Sequence, residues 1–180
     1  MRTTGNNGGS PQPREHIQPN IGLNDETRRS VVGLLNHTLA DESVLCLKTR
    51  SAYWNASGSV DFDQQTLFAI QLKQLNDIID EISRRARVLG GQPSSSFKEF
   101  LKNTRLVEKP GNTPDILDLF TDHESIVRSL REDIKTCDKE YEDAGTTELM
   151  VGVMRLHEKM AWTLRFFLDN QPLHEEKMAA

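Results

Sequence analysis

Two long amphipathic segments, near residues 61–89 and 116–144, are separated by residues 90–113. Neighbouring antiparallel helices are usually joined by roughly 2–8 residues, so this connection is not a turn. A helix from Asp61 to Leu89 is about 40 Å long, and the connection has enough residues to travel back along it. It also carries a short amphipathic piece of its own, Phe97-Lys98-Glu99-Phe100-Leu101. A chain with one such connection and short joins elsewhere is predicted to form an all-α four-helix bundle with a long crossover between its second and third helices.

The apolar spacing supports this. Asn24 is a suitable N-cap, with Asp25 and Glu26 at the positive end of the helix dipole. Val31, Leu34, Leu35, Leu39, Leu45 and Ala52 then recur at helical spacing as far as Tyr53 or Trp54, and Gly58 breaks the pattern. The second helix starts near Asp61, with Gln64 as a capping-box partner. Phe68, Leu72, Leu75, Ile78, Ile79, Ile82 and Ala86 form its stripe, and Gly90-Gly91 closes it. Thr113 followed by Pro114 predicts the cap and first residue of the third helix, whose apolar face runs from Ile116 to Tyr141. Gly145 should separate it from a fourth helix capped by Thr146, which continues to Asn170 and stops before Pro172. The expected organisation is a flexible tail over 1–22, a bundle over 23–170 and an acidic C-terminal tail over 171–180.

Composition narrows the function. A net charge of −5 disfavours nucleic-acid binding by the surface at large, leaving Arg2 and Arg14 of the N-terminal tail as the DNA-binding candidates. No apolar run is long enough to cross a membrane, and the N-terminus lacks a signal-like apolar region. Cys46 and Cys137 lie far apart within helical patterns and read as buried free thiols of a reducing compartment. The expected location is cytoplasmic, with nucleoid association an option. Phosphate loops, zinc-type cysteine spacing and Ser-His-Asp arrangements are absent. None of the five histidines follows a glutamate by three residues; Pro13, Leu34, Phe120, Met154 and Gln171 occupy those positions. The Glu-x-x-His pair of an intrabundle di-iron site is therefore missing. His123 and His157 lie on or beside apolar stripes and read as hydrogen-bonded core residues, and Trp54 and Trp162 as packing residues.

Several ordered stretches resemble the Dps family, the DNA-binding mini-ferritins of starved bacteria. They are Leu35-Asn36, Lys48-Thr49-Arg50 leading to Tyr53-Trp54-Asn55, Asp80-Glu81-Ile82, Asp122-His123-Glu124, and His157-Glu158-Lys159-Met160-Ala161-Trp162. The resemblance spans about residues 23–170. It implies a ferritin-like bundle, a homododecameric shell, iron as stored substrate or mineral, and a ferroxidase site shared between subunits.

That site is built in the family from two histidines and two carboxylates. Here Tyr53 replaces the first histidine, and Gln65 (Thr66 with a one-residue slip) replaces the second. Asp80 matches the aspartate and Arg84 replaces the glutamate. Three of the four ligand positions are substituted. Ferrous iron favours imidazole and carboxylate donors, whereas Arg84 puts a permanent positive charge where a cation should sit. The residue chemistry predicts an Asp80–Arg84 ion pair in place of the metal; a displaced site using Asp77, Asp80 and Glu81 with an unplaced histidine is the rival.

Glu142, Asp143 and Glu148 fall near the third turn of the bundle, where the resemblance implies acidic pores; a solvated acidic turn is the alternative. The resulting expectation is a Dps-like shell for iron sequestration and stress protection with a degenerate ferroxidase site. A DNA-binding nucleoid protein without iron chemistry and a ferroxidase with unconventional ligands are the competing readings. Co-assembly with an active paralogue is a further option, because the family's site spans two subunits.

Overall fold

The computed structural model describes residues 17–56 and 61–169, and these contain five helices and no strand. They are α1 (Asp25–Asn55), α2 (Asp61–Val88), α3 (Phe97–Asn103), α4 (Ile116–Lys139) and α5 (Ala144–Asp169). The pairs α1–α2 and α4–α5 form hairpins, and α3 lies in the crossover against α1. The all-α ferritin-like bundle expected from the sequence is what forms. The candidates Arg2 and Arg14, the break at Gly58 and the C-terminal tail lie outside the described residues.

Local chemistry explains most helix ends. Asn24 Oδ1 accepts the Thr27 amide at 2.8 Å, capping α1 as predicted. At the end of α2, Gly90 takes φ +81°, Gly91 N–H donates to the Ala86 carbonyl and Gly90 N–H to that of Arg87. This paired closure uses the left-handed conformation glycine tolerates best. Gly91 also allows a close approach, since a Cβ there would lie 2.5 Å from Val32 Cγ2.

Two caps differ from expectation. The N-cap of α4 is Asp115 rather than Thr113, because Asp115 forms a reciprocal capping box with Asp118. Gly145 lies inside α5, and Asp143 supplies the cap expected of Thr146. The Thr146 amide and hydroxyl both donate to the Asp143 carboxylate, at 3.1 and 2.6 Å.

The core contains Leu35, Leu39, Leu45, Leu75, Ile78, Ile82, Leu119, Ile126, Leu130, Met150 and Leu164. Cys46 and Cys137 are buried and free, and burial pushes both thiols above their ordinary range. Trp54 and Trp162 do not pack in this core. They are 66% and 60% exposed in the single chain, on outward faces of α1 and α5.

Polar side chains of α1 fasten the crossover, beside the packing of Leu106 and Phe100 on the core. Asn36 Nδ2 donates to the Gln92 carbonyl and its Oδ1 accepts the Ser94 amide. His37 Nδ1 pairs with the Asn103 carbonyl at 2.9 Å, and Lys48 Nζ donates to that of Val107 at 3.1 Å. Buried Asp41 accepts the Thr104 hydroxyl, the Arg105 amide and Arg105 Nε. Arg105 then reaches Asp133 of α4 at 2.7 Å, joining crossover, first hairpin and second hairpin in one network.

Candidate functional site

The four positions that the resemblance assigns to iron ligands fall in two places. Tyr53 lies near the end of α1 and Gln65 near the start of α2, both half-buried, with Gln65 Nε2 3.5 Å from the Tyr53 carbonyl. Asp80 and Arg84 are exposed farther along α2. The fifteen residues from Gln65 to Asp80 correspond to about 22 Å of helix, so one chain does not bring the two halves together.

The Asp80–Arg84 ion pair is not formed. Arg84 Nε instead donates to the Asp80 backbone carbonyl at 3.1 Å. Both groups are exposed, and hydrating the carboxylate costs little compared with fixing two long side chains. The rival cluster of Asp77, Asp80 and Glu81 is likewise exposed. Among the described residues, no three His, Cys, Asp or Glu side chains are arranged to hold one metal ion.

The acidic turn divides. Glu142, at φ +50°, and Glu148 are exposed, but Asp143 is buried. Arg85 NH2 donates to both its oxygens, at 2.6 and 2.9 Å. Burial pushes this carboxyl up, and the bonds from Thr146 and Arg85 outweigh it, holding the group below the usual carboxylate range. Asp143 therefore acts as a helix cap and ion-pair partner, not as a free pore carboxylate.

The most polar part of the interior lies elsewhere. Glu42 of α1, His123 of α4 and His157 of α5 each have 0% exposure. His157 Nε2 lies 2.8 Å from Glu42 Oε1, and His157 Nδ1 lies 2.8 Å from His123 Nδ1. The three groups form one hydrogen-bonded chain with His157 in the middle. Glu42 Oε2 and His123 Nε2, at its two ends, have no hydrogen-bond partner. Burial, and secondarily the neighbouring His157, hold His123 well below the ordinary histidine range, so its ring is neutral. Gln71 of α2, also buried, donates to the Met160 carbonyl one turn along α5 from His157 and leaves its Oε1 without a partner. Lys48 forms an ion pair with Asp122, whose carboxyl burial pushes up despite that pairing.

The sequence places both histidines in the core but gives no sign that they meet. Their partnership depends on three helices, whereas a Glu-x-x-His search examines one. A local signal for Glu42 was present: a carboxylate three residues from Leu39 and seven from Leu35, within the apolar stripe of α1.

Comparison with known proteins places this geometry in a family. The ferritin-like domain profile matches residues 32–173. An uncharacterized low temperature-induced protein of Nostoc sp. is 37% identical over 158 residues, covering 86% of this chain and 88% of that protein. The DNA protection during starvation protein of Listeria innocua is 28% identical, covering 77% of this chain and 92% of the relative. This chain belongs to the Dps family. Among solved structures, the Dps protein of Vibrio cholerae superposes with a TM-score of 0.77 at 26% identity, covering 87% of this chain and 99% of that one. That protein is described as a member of a broad superfamily of ferritin-like diiron-carboxylate proteins. DpsC from Streptomyces coelicolor gives a TM-score of 0.80 at 24% identity, covering 88% and 94%, and supports the shared Dps fold.

Proposed function

We propose that the chain assembles into a Dps-like homododecameric shell that sequesters and stores iron in stress protection, with its intersubunit ferroxidase site degenerate. One observation carries this reading. The Dps frame spans nearly the whole described chain, yet Tyr53, Gln65 and Arg84 occupy three of the four positions the resemblance assigns to ligands. Neutral tyrosine is a poor ligand, the amide offers one uncharged oxygen, and the guanidinium repels a cation. Asp80 supplies the single matching donor. Iron is the shell's cargo, entering through pores to which exposed Glu142 and Glu148 contribute.

The test is Fe(II) oxidation by the purified assembly, under air and with peroxide, beside a buffer blank and an Asp80→Ala variant. The reading expects a twelve-subunit particle, oxidation no faster than the blank, and iron that co-elutes with the shell. A monomer in solution would overturn the assembly. A rate above the blank that falls in Asp80→Ala would establish a ferroxidase with unconventional ligands. A rate that appears only on mixing with an active paralogue would place Asp80 in a shared site.

A second reading is favoured by the Listeria relative's name, DNA protection during starvation protein. Tails bearing Arg2 and Arg14, repeated around a shell, would bind DNA through avidity, and the affinity would be salt-sensitive. A gel shift at low salt that disappears when residues 1–22 are deleted supports it; no shift at low salt removes it.

A further inference from the structure

We infer that Tyr53 and Gln65 of one copy meet Asp80 and Arg84 of a second copy in a metal-free hydrogen-bonded latch, formed twice about a two-fold axis. The same second copy covers the apolar groove between α1, α2 and α3. The inference rests on the reading of these four positions as a site shared between two copies. It does not depend on iron as the cargo.

A single chain leaves both halves of this site unsatisfied. Arg84 Nε donates to the Asp80 backbone carbonyl at 3.1 Å. Its terminal nitrogens and the Asp80 carboxylate have no partner among the described residues. In the other half, Gln65 Nε2 reaches the Tyr53 carbonyl at a long 3.5 Å, and Gln65 Oε1 and the Tyr53 hydroxyl are left over. About 22 Å of helix separates the halves, so neither completes the other within one chain.

The leftover groups are complementary. A carboxylate only accepts, a guanidinium only donates, a phenol can donate and an amide oxygen accepts. Tyr53 can donate to Asp80, and Arg84 can donate to Gln65 Oε1. Arg84 also sets a fixed positive charge beside Asp80, so bonds to this pair are charge-assisted and need no metal. Pairing Asp80 with Arg84 in both directions across two copies would leave Tyr53 and Gln65 without partners.

The helix places both halves on one face. At 100° per residue, Gln65, Leu72, Asn76 and Asp80 fall within about 80° of one another, and Arg84 lies at its edge. Between the halves runs a groove of about 480 Å³ lined by Val44, Leu47, Ile79, Phe97, Phe100 and Leu101. Leu47, Phe97 and Leu101 are 44%, 77% and 56% exposed in the single chain. Asn76 and Ile79 carry the groove to Asp80, and Arg50 carries it to within one turn of Tyr53. A partner that satisfies both halves therefore covers the groove as well. An apolar centre with hydrogen bonds at its rim is the usual anatomy of an interface. An antiparallel approach of α2 to its copy, about an axis near Leu72, sets each Gln65 opposite an Asp80. Such a contact is isologous, so the latch forms twice.

The test is a covalent trap in the full chain, with chelator present throughout. Gln65→Cys and Asp80→Cys are combined, the protein is treated with a short bis-maleimide, and products are separated under denaturing conditions. The reagent cannot span the two positions within one chain. The expected result is a covalent dimer from the double variant, and none from the parent or from either single variant. A dimer from Asp80→Cys alone would show like ends meeting and overturn the latch.

Charge exchange supplies the second readout. Arg84→Glu should raise the concentration at which copies separate by at least about tenfold, the effect of losing one charged hydrogen bond. Adding Gln65→Arg should restore association, because the new pair closes only between copies. Folded variants without that rescue overturn the latch, and this readout decides if the cysteine variant does not assemble. The shell reading fails separately. A covalent dimer from a protein that forms no larger particle ends the shell and leaves the latch standing. A twelve-subunit double variant that yields no covalent dimer does the reverse.

Discussion

Glu42 Oε1 and His157 Nε2 meet at 2.8 Å in a part of the bundle where neither side chain has any solvent exposure. The two residues are 115 positions apart in sequence, and their contact ties the first helix to the last. Removing one member of a buried charged or hydrogen-bonded pair typically costs about 3–5 kcal/mol, because the other is left unpaired. Glu42→Ala should therefore lower stability by that order in urea unfolding. Glu42→Gln, which can still accept from His157, should lose clearly less. Equal losses would mean that the contact contributes little.

His123 gives the protein a defined response to acid. Its folded-state ring resists protonation, while in the unfolded chain it takes up a proton near the ordinary histidine value of about 6.5. Unfolded molecules thus bind more protons below about pH 6.5, and stability falls as pH drops from there. The slope for this one group approaches about 1.4 kcal/mol per pH unit. Urea midpoints between pH 7.5 and 5 should fall more steeply for the parent than for His123→Gln. Parallel curves would show that this histidine does not set the response.

The crossover network should outweigh surface ion pairs. Arg105 bridges Asp41 and Asp133, and burial opposes its charge while the two carboxylates more than compensate. Arg105→Ala leaves Asp41 buried without its cation and should cost about 3–5 kcal/mol. Arg131→Ala breaks an exposed pair with Glu158 and should cost about 0–1 kcal/mol. Thermal unfolding of the two variants side by side measures the difference.

Two glycines should respond in opposite directions. Gly91→Ala drives a methyl group into Val32 and should destabilise by about 1–3 kcal/mol. Gly33 lies inside α1 with nothing within 4 Å of a Cβ. Gly33→Ala should stabilise by about 0.5–1 kcal/mol, since alanine loses less freedom on entering a helix. Melting temperatures of the assembled variants check both.

Restoring the ligand set tests the degenerate-site reading from the other side. The triple variant Tyr53→His, Gln65→His, Arg84→Glu, beside native Asp80, should oxidise Fe(II) faster than the parent. A correctly assembled triple variant with unchanged kinetics would count against these positions as the lost site.

The bundle was legible because a 3–4 apolar spacing dictates which faces must be buried, whatever the partner. Residues 90–113 gave the crossover for an equally simple reason: their length excludes a tight turn. Helix starts were less legible. Thr113 and Asp115 are both able to cap, and the choice follows from which residue forms the reciprocal box with Asp118. The role of Asp143 is set by Arg85, 58 residues away. The Glu42–His157–His123 chain is the extreme case, because no pair within it lies on one helix.

The course of the crossover is written on the helix beneath it. Asn36, His37, Asp41 and Lys48 bond to the backbone or side chains of residues 92–107. The apolar side chains of α3 at Phe97 and Leu101 face outward in the single chain. The segment is consequently not a portable part. Transplanted onto another helix pair, it would lose its path, whereas changes to its own exposed apolar residues leave that path intact within the chain. The outer face of this segment can therefore change without disturbing its route, which is held by four polar positions of α1 together with Leu106 in the core and Arg105 on Asp133.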